Sequence, residues 1–316
     1  MRTPVIGTGT GAGFRKAILV NEHFVVYGVP AIAVPVLRPL SVAATLRQGT
    51  GLEILMRAPG EKKPRTTSDP FLAEAVRRIL ESCGASAGRT RVRLECRGSL
   101  YGWSGLGSSA AFCVAATKAL CRALGHVWSD DQINTVAYEG EKVFASNPSG
   151  IDNTVSTFGR VLWYCRGREH PWEFLRPGAP IRLVVVNSGS PSLTKDQVRK
   201  VARFASEDPS RFHDLCSQAS ALALEARTAL EHGAPRELGR LMDRGHEMLR
   251  EIGASNDTLD RLVSLCRSGG SLGAKLTGAG GGGSLIALVE NPTQAGRLAR
   301  SIRALGYGAF AIQVSS

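Results

Sequence analysis

Three stretches of the sequence carry residue types suited to a phosphorylated ligand. The first is Gly105-Leu106-Gly107-Ser108-Ser109-Ala110-Ala111, directly before a helical pattern. Glycines let backbone N–H groups approach an anion closely, and a helix N-terminus adds unpaired donors and a partial positive charge. Such a turn is a phosphate cradle, with two hydroxyls where a magnesium ion could be held. The plain alternative is a glycine turn with a serine cap. The segment lacks the lysine of a Walker A loop, and Ala110 occupies the third glycine position of a Rossmann fingerprint.

The second constellation is Glu141 with Asp152, on either side of Asn147-Pro148-Ser149-Gly150. Two carboxylates joined by a Pro/Gly turn can converge, one holding Mg²⁺ and the other orienting or deprotonating a hydroxyl. Taken alone, Asp152 also suits a helix N-cap. The third is Lys275-Leu276-Thr277-Gly278-Ala279-Gly280-Gly281-Gly282-Gly283, followed at once by an apolar run. A glycine run is costly in backbone entropy, so a folded chain keeps one where backbone must approach something closely. A flexible connector is the competing reading, and the strand predicted from Ser284 argues against it.

The elements that must position these residues can be read from periodicity. Short apolar or alternating runs predict strands at Ala17–Val20, Val25–Tyr27, Ala31–Val36, Ser41–Leu46, Leu52–Met56 and Arg91–Cys96. Helical spacing marks Phe71–Glu81, Ser108–Leu124 and Asp130–Phe144. Ser108 and Ser109 read as N-cap residues, and Ala111, Ala115 and Ala119 form a small-residue stripe able to pack closely on a sheet. Strands follow at Val161–Cys165 and Arg182–Val186. Beyond them Thr194 to Ile252 reads as helix broken at Asp208-Pro209 and Gly233-Ala234-Pro235. Helices at Leu259–Arg267 and Thr293–Leu305 alternate with strands at Ser284–Val289 and Ala309–Val314. The glycine cluster at 7–13, like those at 102–107 and 278–283, reads as a loop within the fold. The change of texture near 180–190 divides the chain into 1–185 and 186–316, two α+β domains.

Composition narrows the classes. Hydrophobic residues at 43% and charged residues at 21% exclude global disorder, and no apolar run is long enough to span a bilayer. Seven scattered cysteines without a C-x-x-C pair predict reduced, mostly buried thiols, and no signal peptide is evident, which points to the cytoplasm. The net charge of +12 fits a polyanionic ligand, but the basic residues are dispersed and no aromatic-interleaved platform for nucleic acid is present.

Together the three motifs resemble those of the GHMP kinases, the small-molecule kinase family named for galactokinase, homoserine kinase, mevalonate kinase and phosphomevalonate kinase. Lys16-Ala17-Ile18-Leu19-Val20-Asn21-Glu22-His23-Phe24-Val25-Val26-Tyr27-Gly28 and the segment Asn147–Gly159 are similar to the mevalonate kinase branch. The resemblance runs from about residue 14 to about 290. It implies a two-domain α+β fold: an N-terminal mixed α/β domain with the phosphate loop and a C-terminal ferredoxin-like domain. It also implies ATP and Mg²⁺ as cofactors and phosphoryl transfer to a small-molecule hydroxyl, that of mevalonate in isoprenoid biosynthesis. A sugar, a cyclitol or phosphomevalonate is the alternative acceptor, and a nucleic-acid-binding protein on this scaffold is the rival from another class. A homodimer is compatible with the pattern; a nucleic-acid or membrane partner is not expected.

By the resemblance, Asp152 matches the catalytic carboxylate and Lys16 the lysine that stabilises transferred charge. Ser109 and Glu141 match the metal ligands. Gly105, Leu106, Gly107, Ser108, Ser109 and Ala110, with Gly280 and Gly281, match the nucleotide-binding loops. Glu22, His23, Thr194, Lys195, Gly278 and Ala279 match substrate-side positions. The chain departs from the family pattern at Asn21, where a glycine is usual, and at Leu100–Ser104, which lacks a proline. It also departs at Ser192 and Leu193, where an arginine would pair with the substrate carboxylate. Lys195 and Arg199 are the cations close by.

Overall fold

Glycines at alternate positions 7, 9, 11 and 13 open the first strand, β1 (Val5–Val20), and the loop expected there is not formed. The reason lies in what the strand meets. Alternate strand residues share one face, and this face lies flush on helix α2 (Ser108–Ala123). A Cβ at Gly7, Gly9, Gly11 or Gly13 would run into the carbonyl oxygens of Ala123, Ala119, Ala115 and Ala111 respectively. The glycines are there for close backbone approach, and the small-residue stripe of α2 packs on the sheet as its spacing predicts.

The computed structural model describes residues 4–58, 60–98, 105–145, 148–192 and 194–315. The departures at Leu100–Ser104 and Leu193, and the turn residue Asn147, lie outside them. Contacts gather the chain into two units, one of Met1–Arg15, Arg38–Tyr101 and Gly107–Gly159, the other of Lys16–Leu37, Gly102–Leu106 and Arg160–Ser316. This grouping differs from a linear cut at 185/186 because β1 and the second strand, β2 (Ala31–Gln48), each run from one unit into the other.

In the first unit, β2 pairs antiparallel with β5 (Thr90–Arg97) from Ser41 opposite Arg97 to Gln48 opposite Thr90. β3 (Leu52–Arg57) pairs parallel with β5 and antiparallel with the short β4 (Arg65–Thr66). Along β5 Val92, Leu94 and Cys96 are buried while Arg91, Arg93 and Arg97 are exposed, so the basic run at 89–93 is a solvated strand face. Helices α1 (Pro70–Ser82), α2 and α3 (Asp130–Glu141) enclose a core that includes Leu72, Ile79, Leu94 and Phe112. Asp69 caps α1, and a Ser129–Gln132 capping box starts α3. A further helix, α4 (Ile151–Phe158), follows the turn and is too short for its spacing to mark it in the sequence.

In the second unit the beginning of β2 pairs with β6 (Leu162–Tyr164), which pairs with β7 (Trp172–Phe174). Pro35 and Pro39 fall between the stretch of β2 paired with β6 and the stretch paired with β5. The strand expected at Val25–Tyr27 is instead a 3₁₀ turn (Phe24–Tyr27) closed by Gly28 at φ 84°. A second sheet runs β11-β8-β10-β9, all antiparallel, from β8 (Ile181–Asn187), β9 (Gly273–Thr277), β10 (Ser284–Leu288) and β11 (Gly308–Val314). Helices α5 (Thr194–Glu207), α6 (Pro209–Glu231), α7 (Pro235–Glu251), α8 (Asp257–Ser268) and α9 (Pro292–Ala304) accompany it. The breaks fall at the prolines, as expected.

Candidate active-site residues in the two units

In the first unit the helix α2 begins at Ser108 itself. Its N-cap is Gly107 in the left-handed conformation (φ 64°), which corrects the expectation of a serine cap. Neither serine is therefore occupied in capping. The Ser109 hydroxyl donates to Oε1 of Glu141, the last residue of α3, at 2.8 Å. The Ser108 hydroxyl is buried without a hydrogen-bond partner. A hydroxyl and a carboxylate at the positive end of a helix are hard oxygen donors that fit Mg²⁺, and an orphaned hydroxyl beside them fits a phosphate oxygen. Among the described residues no group of three or more His, Cys, Asp or Glu could hold a metal ion. A cation at Ser109 and Glu141 would thus complete its shell with water and phosphate oxygens, the usual habit of Mg²⁺.

Asp152 is not an N-cap. Gly150, at φ 92°, caps α4, and Asp152 sits in the first turn, half-buried. The helix is tied to α3 by side chains that pattern reading did not single out. Asn153 donates to Oδ1 of Asn134 at 2.6 Å, Asn134 donates to the Thr154 hydroxyl at 3.2 Å, and Tyr138 donates to the Pro148 carbonyl at 3.0 Å. The sequence signal for these is weak, because an Asn on a helix face is ordinarily solvated.

In the second unit Lys16 is buried, and its ammonium donates to the Gly105 carbonyl at 3.3 Å. The backbone carries the same link, from the Lys16 N–H to the Leu106 carbonyl at 3.0 Å. Asn21 has φ +74°, the left-handed region a glycine would fill, and Asn is among the side chains that tolerate it. Its amide donates to the carbonyls of Pro30 and Ala219, at 2.7 and 2.8 Å. The departure from the family pattern is thereby absorbed. Asn21→Ala, which loses both bonds and keeps the strained backbone, is expected to lower stability by about 2–4 kcal/mol. A denaturant melt checks this, and a loss under 1 kcal/mol would contradict it.

Glu22 and His23 follow, both buried. The Glu22 carboxylate pairs with the Lys275 ammonium. His23 Nε2 lies 2.8 Å from the Ala279 carbonyl. A carbonyl can only accept, so Nε2 carries the proton; burial pushes the imidazole pKa down, which keeps it neutral and leaves Nδ1 as an acceptor. The predicted glycine run is the loop joining β9 to β10, with Thr277 opposite Ser284. It is packed on several sides. A Cβ at Gly278 would stand 2.5 Å from the Gly105 Cα, and one at Gly105 would stand 2.7 Å from the Thr277 carbonyl oxygen. The Gly281 N–H donates to the Ala254 carbonyl at 2.8 Å, and the Ser192 hydroxyl to the Gly280 carbonyl at 2.5 Å. This is close backbone approach, not a free connector. Thr194 and Lys195 open α5 and are exposed. Thr277, given no role in the sequence motif that contains it, accepts through its hydroxyl from the Ile18 N–H at 2.8 Å.

The family model for the GHMP kinases N terminal domain matches residues 71–160, and that for GHMP kinases C terminal matches 226–308. A mevalonate kinase of Aeropyrum pernix is 36% identical over 87% of this chain and 86% of its own. The chain belongs to the GHMP kinase family. As a GHMP kinase it is a small-molecule kinase, and the α+β fold expected from sequence holds. A mevalonate kinase of Thermococcus sibiricus is 31% identical, covering 92% of this chain and 91% of its own. The crystal structure of L. major mevalonate kinase in complex with R-mevalonate superposes with a TM-score of 0.88 at 28% identity, over the whole of both chains. No helix among the described residues of this GHMP kinase is long and apolar enough to cross a membrane.

Proposed function

We propose that this GHMP kinase transfers the terminal phosphoryl group of ATP to the 5-hydroxyl of mevalonate. The observation that carries the kinase chemistry is the Ser109–Glu141 pair at the N-terminus of α2, with the orphaned Ser108 hydroxyl beside it. The N–H groups of Ser108, Ser109 and Ala110 and the loop of Gly105, Leu106 and Gly107 hold the phosphates. Ser109 and Glu141 hold Mg²⁺, which when bound neutralises charge on the transferred group. Asp152 accepts or orients the proton of the acceptor hydroxyl, and Lys16 stabilises charge on the moving phosphoryl oxygens. Gly280 and Gly281 line the nucleotide side.

The acceptor follows from the relatives, which are mevalonate kinases, and from the chemistry of Glu22 and His23. A carboxylate oxygen and an imidazole Nδ1 are hydrogen-bond acceptors and suit a substrate rich in hydroxyl groups. Gly278 and Ala279 flank that side, while Thr194 and Lys195 supply a hydroxyl and a cation for the substrate carboxylate. Some surface arginines pair with carboxylates, as in Arg93–Glu53 and Arg211–Glu251. Free cysteines, largely buried, fit a reducing cytoplasm.

ADP release measured with mevalonate, phosphomevalonate, homoserine and a panel of sugars and cyclitols tests the reading. Mevalonate is expected to give the highest kcat/KM, and turnover on another acceptor alone would replace it. The metal assignment is tested separately. Glu141→Gln and Ser109→Ala are each expected to raise the Mg²⁺ concentration for half-maximal rate by roughly tenfold, the loss of one charge-assisted contact. The melting temperature should change little. An unchanged Mg²⁺ titration in both variants would place the metal elsewhere.

A further inference from the structure

Lys275 stands immediately before the glycine run and has no role in the proposed chemistry. It is wholly buried, which is rare for a lysine unless it is paired. Its ammonium contacts Glu22 Oε1 and donates to the Leu276 carbonyl at 2.8 Å. Burial pushes the Glu22 carboxyl up and the Lys275 amine down, and each group pulls the other back toward its charged form. A well-packed apolar pair would often be at least as stabilising in such a place. The remaining oxygen, Glu22 Oε2, is buried and has no hydrogen-bond partner. A carboxylate anchored through one oxygen with the other left over is half satisfied, which is unusual inside a protein.

The surroundings of Lys275 keep its charge from being duplicated. The next N–H along β9, that of Leu276, donates to His246 Nδ1 at 3.4 Å. The His246 proton is therefore on Nε2, which donates to Asp260 Oδ1 at 3.1 Å. Asp260 is held in turn by the Ser255 hydroxyl at 2.5 Å and by Arg250 Nε at 2.9 Å. Burial, with Lys275 nearby, lowers the His246 pKa to about 4, so the ring is neutral and adds no second cation.

We propose that Lys275 is a positioning residue for the acceptor: it anchors Glu22 through Oε1 so that Oε2 is presented to a hydroxyl of the small-molecule substrate. The inference rests on the proposed function, in which Glu22 lies on the acceptor side. Lys275 acts through Glu22 and touches no substrate itself.

Four proteins test it: wild type, Lys275→Met, Glu22→Gln and the double variant, each assayed for acceptor and ATP KM and for melting temperature without substrate. Lys275→Met is expected to raise the mevalonate KM at least tenfold with the ATP KM within twofold of wild type. Glu22→Gln should do the same, and the double variant should bind no worse than either single one, because all three lose one contact. Without substrate, the double variant should melt above Lys275→Met, which strands the Glu22 charge. If Lys275→Met does not fold, the double variant replaces it, and its mevalonate KM must match that of Glu22→Gln. Equal rises in both KM values, an unchanged mevalonate KM, or fully additive effects would each overturn the proposal. Wild-type protein that leaves mevalonate unphosphorylated would instead overturn the proposed acceptor, and the same series would then be run on whichever alcohol releases ADP.

Discussion

Asp152→Asn is expected to lower kcat by on the order of 10²–10⁴-fold while ATP affinity stays within a few fold. Asp152 occupies the first turn of α4, and that helix is pinned to α3 by the Asn134–Asn153 and Asn134–Thr154 hydrogen bonds, at 2.6 and 3.2 Å. Asparagine has the same shape and leaves these bonds alone, while the substitution removes the proton acceptor. A negative charge near a helix N-terminus contributes about 0.3–1 kcal/mol. The melting temperature should therefore fall by only a few degrees. Single-turnover kinetics with a melt on the same sample separates the two effects. A variant that keeps more than a tenth of wild-type turnover would remove Asp152 from the mechanism.

Gly11→Ala is expected to be severely destabilising although it adds one methyl group. That methyl would meet the Ala115 carbonyl oxygen and the Ala119 nitrogen of α2, well inside contact distance. Both are backbone atoms of a buried helix and cannot swing aside as a side-chain tip would. Overpacking usually costs about 1–3 kcal/mol, and a clash against rigid backbone belongs at the upper end or beyond it. At about 2–4 °C per kcal/mol the melting temperature should drop by roughly 6–12 °C. The control is Gly296→Ala in α9, where an added Cβ finds nothing nearer than the Arg300 guanidinium at 3.5 Å. There the same change should stabilise by about 0.5–1 kcal/mol, since glycine in a helix interior is unfavourable. Equal melting shifts for the two variants would refute the close-approach account.

That contrast also marks where the sequence was legible. The helices of the second half appear where period and proline punctuation put them, because both signals are local. The Gly105–Ala111 and Lys275–Gly283 motifs were readable for the same reason: glycine and small residues crowd where backbone must pass close. What the glycines approach is not local. The cluster at 7–13 looks the same as a loop would; it is a strand because β1 pairs with β2, and its glycines let that strand lie against α2. Val25–Tyr27 has strand composition but is turned by Gly28. α4 is short, and its N-terminus is set by a left-handed glycine rather than by a polar cap. The Glu22–Lys275 pair joins residues 253 apart in sequence, and no periodicity reports such a pairing.

The interlock of β1 with α2 behaves like a vernier scale. Two strand residues advance about 6.6 Å, whereas four helical residues advance about 6.0 Å. Over the three steps from Gly7 to Gly13 the two rulers drift apart by roughly 2 Å, so the match cannot be prolonged indefinitely. Nor can repetition alone choose the alignment: a helix slid by one step would still find three of its four glycines. The choice falls to features that do not repeat. Arg122 reaches the Thr10 carbonyl at 2.6 Å, and the Phe14 ring lies where a Cβ on Gly159 would come within 2.5 Å of it. Arg122 stands near the C-terminal end of α2, whereas Phe14 follows Gly13, which faces Ala111 near the end that carries Ser108 and Ser109, so the features that do not repeat flank the sliding track at both ends.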